Sequence, residues 1–139
     1  MAVKTVDFSL KTSGDTDLID ITGNVSNTLK GSGISSGVVT IFIPGSTAGV
    51  TTIEYESGAI RDFQVAVDRI APKDIHYDHD ARWGDGNGYS HIRASLLGPS
   101  LTIPFSSSKP LLGTWQQIVV VDFDNRPRTR KIILQIIGE

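Results

Sequence analysis

Residues 3–11 alternate, with Val6, Phe8 and Leu10 on one side and Asp7, Ser9 and Lys11 on the other. That is the period-2 pattern of a half-buried strand. Ser13-Gly14-Asp15 reads as a turn, and Leu18 to Ile21 as a second short strand. Thr22 is placed to cap a short helix that carries Val25 and Leu29 four apart and stops at Gly31. Val38 to Ile43, VVTIFI, is almost continuously apolar and β-branched, which predicts a central strand buried on both faces. Pro44-Gly45 ends it. Thr51 to Tyr55 is rich in strand formers. Ser57 then stands before a helical pattern over about 58–71, with Ile60, Phe63, Val67 and Ile70 on one face and Pro72 as the stop.

After a long polar segment, Ser90 is positioned to cap a short helix with Ile92, Leu96 and Leu97 inward, broken at Gly98-Pro99. Leu101 to Phe105 predicts a strand, and residues 115–123, WQQIVVVDF, a strong one. Asp124 to Pro127 is a turn, and residues 129–137 a last strand, close enough to the previous one to form a hairpin. The sum is about seven strands and two or three helices with short connections. This predicts an α+β domain over residues 1–139, a mainly antiparallel β-sheet or β-sandwich. The strands at 38–43, 118–123 and 132–137 are more apolar than a half-exposed sheet needs, so helices or a second subunit should cover the other face.

The segment from Tyr77 to Gly98 holds His79, His91, Asp78, Asp80, Asp85, Asn87 and four glycines among ordered aromatics. Long polar loops inside a small domain are usually functional, so a chemical site is expected here. Composition narrows the chemistry. With no cysteine there is no disulfide, thiolate metal site or cysteine nucleophile. A net charge of −2 argues against a general nucleic-acid binder. No apolar run approaches the ~20 residues of a membrane span, and the N-terminus lacks a secretory apolar block, so a cytoplasmic location is expected. The one basic cluster, Arg126, Arg128, Arg130 and Lys131, reads either as a solvated strand face or as a phosphate-binding patch.

His79 and His91 are twelve apart, which matches no short zinc spacing. Carboxylates flank both, so metal or acid–base work and a surface or capping role stand as alternatives. Gly84-Asp85-Gly86-Asn87-Gly88 is able to form an anion-binding nest, but it lacks the lysine of a P-loop. Ser46 and Thr47 follow a buried strand and suit contact with a phosphate or hydroxyl better than a nucleophilic role. Thr114 and Gln116 share one side by strand alternation beside Trp115, and Gln116 is either a structural bridge or a ligand contact.

Taken together these pieces resemble the YjbQ family, known as secondary thiamine-phosphate synthases. The matching residues are Pro44 with Ser46-Thr47-Ala48, Tyr77-Asp78-His79, Asp85-Gly86-Asn87, the run SHIRASLLGPSLTIP from Ser90, and LGTWQQI from Leu112. The C-terminal Gln135 and Gly138-Glu139 also fit. The resemblance implies an α+β sandwich assembling as a homotrimer. It implies a site of histidines and acids near a subunit boundary, sometimes loaded with a divalent metal such as zinc or magnesium. The implied activity is a weak transfer that joins a hydroxymethylpyrimidine diphosphate to a thiazole phosphate. Catalytic roles then fall to His79, His91, Asp85 and Asn87, with His79, His91 and Asp85 as metal ligands. Substrate contacts fall to Ser46, Thr47, Glu54, Arg93, Thr114, Trp115 and Gln116, with Trp115 or Tyr89 stacking on a ring. Two departures stand out: many relatives carry histidine at the positions of Gly45 and Tyr89. The alternative function is a module that binds a phosphorylated small molecule or a metal without turnover.

Overall fold

The computed structural model describes residues 1–139. In chain order the elements are β1 (Ala2–Thr12), β2 (Asp17–Asp20), α1 (Thr22–Gly31), β3 (Gly37–Phe42), β4 (Ala48–Ile53) and α2 (Ser57–Ile70). They continue with α3 (Asp78–Trp83), α4 (Gly88–Leu97), β5 (Ser100–Ser106), β6 (Lys109–Pro110), β7 (Gln117–Asp122) and β8 (Arg128–Gly138). All strand pairs are antiparallel. One sheet has the order β1-β8-β3-β5-β6 and the other β2-β7-β4. The expected α+β architecture therefore holds, with four helices rather than two or three.

The extra helix is α3, a single short run inside the segment read as loop. Gly84 ends it in the left-handed conformation, at φ 71°. The helix starts also move. Glu56, not Ser57, caps α2, its carboxylate accepting from the amides of Gly58 and Ala59. These two bonds hold the Glu56 carboxyl below its ordinary range. Thr22 is the first residue of α1 rather than its cap. Its hydroxyl donates to Asp20 and accepts the Ile118 amide, tying the helix to β7. The last of the four, α4, has Asn87 in its cap position, three residues before Ser90, the expected cap.

The main core packs the inner face of the five-stranded sheet, including Val39, Ile41, Ile132, Leu134 and Ile136, against Ile118 and Val120 of β7, with Val25 and Leu29 of α1 filling one side. Alternate residues of β7, Val119 and Val121, face the other way with Phe123. They pack under Phe63 and Val67 of α2 and Ala94 and Leu97 of α4. Helices therefore cover the second face of the smaller sheet, one of the two covers expected. The larger sheet keeps an open face, where Thr40 meets Thr102 and Thr5 meets Gln135. Val38 and Phe42 also remain exposed, at 37% and 41%. This corrects the reading of 38–43 as buried on both faces, because only Val39, Ile41 and Ile43 point inward. Ile92, Leu96 and Ile70, expected inside, are exposed as well.

Candidate functional site

β4 and β7 end side by side, with Ala48 opposite Asp122. The chain just outside these ends supplies one wall of a polar basin, Gly45 to Thr47 from the start of β4 and Asp124 to Arg130 from the β7–β8 turn. The α3–α4 segment supplies the other wall: His79, Trp83, Asp85, Asn87 and His91. The cavity is about 380 Å³, and Trp83 is its one apolar lining residue. That size lies in the ~300–1,000 Å³ range of small-molecule pockets.

The floor is a buried ion network. Arg130 reaches Asp122 twice, from Nε to Oδ2 at 2.8 Å and from Nη2 to Oδ1 at 2.9 Å. Thr12 donates to the same carboxylate at 2.6 Å. Burial alone would push the Asp122 carboxyl up, but these partners and the Asp124 amide bring it below its ordinary value. Thr47 accepts from Arg130 at 2.6 Å and donates to Asp124 at 3.1 Å. Asp124 also takes the side chain of Asn87 at 3.3 Å and faces Arg128 at 3.4 Å. Arg126 has no carboxylate within 4.0 Å, so it is the cation of the basin without an internal partner.

Loop and turn are tied together where Asn125 donates to the Asp85 carbonyl at 2.9 Å. The two imidazoles lie against each other with centroids 4.3 Å apart and their planes tilted by 43°. Burial, and then repulsion from His79, lower the pKa of His91; Asp124, Asp85 and the Ser46 carbonyl oppose the shift. His79 Nδ1, Asn87 Oδ1 and Ser90 Oγ are buried without a hydrogen-bond partner, His79 Nδ1 lying 3.6 Å from Asp80 Oδ1.

No three histidine, aspartate or glutamate side chains converge closely enough to hold a metal ion. His79, His91 and Asp85 share the basin but do not form a cage, because the imidazoles lie against each other and Asp85 sits on the rim. The residues of one chain do not fit a resident divalent metal, which would find only these two adjoining imidazoles.

The predicted residues divide. His79, His91, Asp85, Asn87, Ser46 and Thr47 meet in the basin. Glu54, Thr114, Trp115 and Gln116 lie at the far end of the smaller sheet, where Ile53 pairs with Gln117. Five strand steps separate the two ends, roughly 17 Å. There Gln116 donates to the Thr52 hydroxyl, a structural bridge.

Arg93, expected on a phosphate, is instead buried and committed. It donates to the Ala71 carbonyl, Thr16 and Asp68, and packs its guanidinium on the Tyr89 ring. Tyr89 is likewise buried, its hydroxyl on Asp15, and burial pushes that phenol up to about 12. Neither is placed to meet a ligand in the basin. Asp124 and Trp83 were not anticipated as site residues: Asp124 carried only a turn signal, and Trp83 sat in a segment read as loop.

The family model described as "UPF0047 protein YjbQ-like" matches residues 6–139. A UPF0047 protein of Methanothermobacter thermautotrophicus is 39% identical over 139 residues, all of this chain and 95% of that protein. The Bacillus subtilis protein YugU is 33% identical over 132 residues, 94% of this chain and 97% of its own. Among solved structures, a YjbQ/UPF0047 protein of Clostridium acetobutylicum is 41% identical with a TM-score of 0.87, covering 95% of this chain and 99% of that one. A protein of unknown function from Sulfolobus solfataricus gives 29% and a TM-score of 0.89, covering 99% and 100%. Matched from near its first residue to its last, the chain belongs to the YjbQ/UPF0047 family.

Proposed function

We propose that the basin binds the phosphoryl end of a small metabolite. One observation carries this reading: Arg126, Arg128 and Arg130 converge on a cavity shared with two histidines and almost devoid of apolar lining. Guanidinium forks match phosphate oxygens in geometry and charge. Arg126 is the chief anchor, because Arg128 and Arg130 already face carboxylates.

The activity this supports best is a thiamine-phosphate-synthase-like transfer. The thiazole nitrogen attacks the pyrimidine's methylene carbon, the carbon–oxygen bond to diphosphate breaks, and the diphosphate leaves with the electron pair. The arginines stabilise the charge that develops on that leaving group. The histidine pair also borders a second cleft, lined by His76, Tyr77 and Ile92. An acceptor held there would meet the phosphorylated partner at the imidazoles. The rival reading, a binding module without turnover, is supported by the pairing of Arg128 and Arg130 with carboxylates, which leaves Arg126 alone to meet charge on a leaving group.

The test is thiamine phosphate formation from the two substrates, quantified by chromatography, with Arg126→Ala and His91→Ala alongside. Loss of a charged hydrogen bond of ~1.5–3 kcal/mol predicts a KM for the diphosphate substrate roughly 10- to 150-fold higher in Arg126→Ala. Product formed equally well by His91→Ala would sink the transferase reading. Saturable diphosphate binding without product would leave the binding module. We also propose a homotrimer, supported by the exposed apolar residues on the open sheet face.

A further inference from the structure

The basin that gathers the arginines is lined by a single exposed aromatic, Trp83. Trp83 is the last residue of α3, and Gly84 turns the chain away immediately after it. The indole is 63% exposed, although it lines a cavity whose other walls are polar. Arg82 lies over the ring at 5.2 Å. An indole held over polar groups gains nothing from burial where it is, since it makes no part of either apolar core. Its broad π face beside cationic donors is the pairing that recognises a flat heterocycle carrying phosphate. The other aromatics near the site are excluded by position. Tyr89 is buried against Arg93, and the Tyr77 hydroxyl is tied to the Pro72 carbonyl.

We infer that Trp83 is the specificity residue of the basin: with the ligand's phosphoryl group on Arg126, its heterocyclic ring stacks on the indole. The inference rests on the phosphoryl reading above and gives the heterocycle of that reading a binding residue. Sugar phosphates and inorganic diphosphate would then satisfy only half of the site.

Titration calorimetry on the whole protein separates the two ideas. The probes are uridine 5′-monophosphate, ribose 5-phosphate, which lacks only the base, and inorganic diphosphate. Stacking of a base on an aromatic side chain is worth ~1–3 kcal/mol, so the base should tighten binding roughly 5- to 150-fold over the sugar phosphate. In Trp83→Ala that ratio collapses towards one, and Trp83→Phe restores part of it. Thermal unfolding of each variant checks that the fold survives; Trp83 touches neither core, so the melting temperature should hold. Equal affinity for the two monophosphates in the wild-type protein, with diphosphate still bound, overturns the stacking inference and leaves the phosphoryl reading intact. No binding of any of the three overturns both.

Discussion

His91 stands where three clefts meet: the arginine basin, the cleft beside Ile92, and a third lined by Ser46, Ala94 and Ser95. Burial and the neighbouring His79 make its protonated form costly, so its pKa lies below the ordinary 6.5. It is therefore neutral at neutral pH. The unfolded chain binds this proton more readily, so His91 subtracts stability as pH falls from 6.5 towards the lower folded value. A bound phosphoryl anion reverses the balance, because it favours the imidazolium. We predict that the His91 ring, followed by NMR, titrates below 6.5 in the free protein and moves upward with saturating diphosphate. An unchanged or lowered value on adding diphosphate would place the anion elsewhere. The sequence showed His79 and His91 as a pair worth attention but could not show their partners. Arg93 misled because its charge suggested a ligand, whereas Asp68 and the Ala71 carbonyl, both over twenty residues away, claim it. Arg130 was ambiguous for the same reason. Alternation tells which side of a strand a cation takes, not whether a buried carboxylate such as Asp122 waits there.

Between α3 and α4 the backbone runs so close to Tyr77 that a side chain at Gly88 would meet the Tyr77 Cβ at 2.5 Å. The Gly88 amide also donates to Asp80 at 2.8 Å, which joins the two helices. Since α3 carries His79 and α4 carries His91, this contact holds the two imidazoles together. Gly88→Ala should push the helices apart at a cost of ~1–3 kcal/mol, the usual range for overpacking. It should weaken diphosphate binding at the same time. Urea unfolding and calorimetry on the same sample check both, and full stability with native affinity would show that the helices tolerate separation. Long elements were legible because their patterns repeat, as in α2 with Ile60, Phe63 and Val67. The short α3 was not, since six residues are too few to show a period and their isolated helical stability is marginal. The start of α4 was misplaced because Ser90 looks like a cap, while the chain turns earlier at Asn87 without any side-chain cap.

At the scale of the whole molecule, antiparallel character and seven of the eight strands followed from alternation and short turns; the two-residue β6 did not, nor did the pairing order, which puts β7 and β8 in different sheets rather than in the expected hairpin. Nothing local tells that β8 lies between β1 and β3, or that Gly37 and Gly138 face each other where a Cβ on Gly138 would strike the Ser36 carbonyl. Nor does the pattern VVTIFI tell which of its two apolar sides meets the core. Val38 and Phe42 face outward, along with exposed Ile137 on the neighbouring β8. Outward apolar groups gathered on one broad sheet form a surface suited to being covered by another. The far patch of Glu54, Trp115 and Gln116 is the second group without a role inside one chain's basin. If a boundary between copies uses the sheet face, the chain should run in light-scattering chromatography as three times its 15.0 kDa mass. Phe42→Lys, which places a charge in that boundary, should then shift it to the single-chain mass with the helical and sheet signal retained. A wild-type protein that already runs at 15.0 kDa across micromolar concentrations would remove the trimer. Each basin would then have to bind its ligand from one chain alone, without Glu54, Trp115 or Gln116.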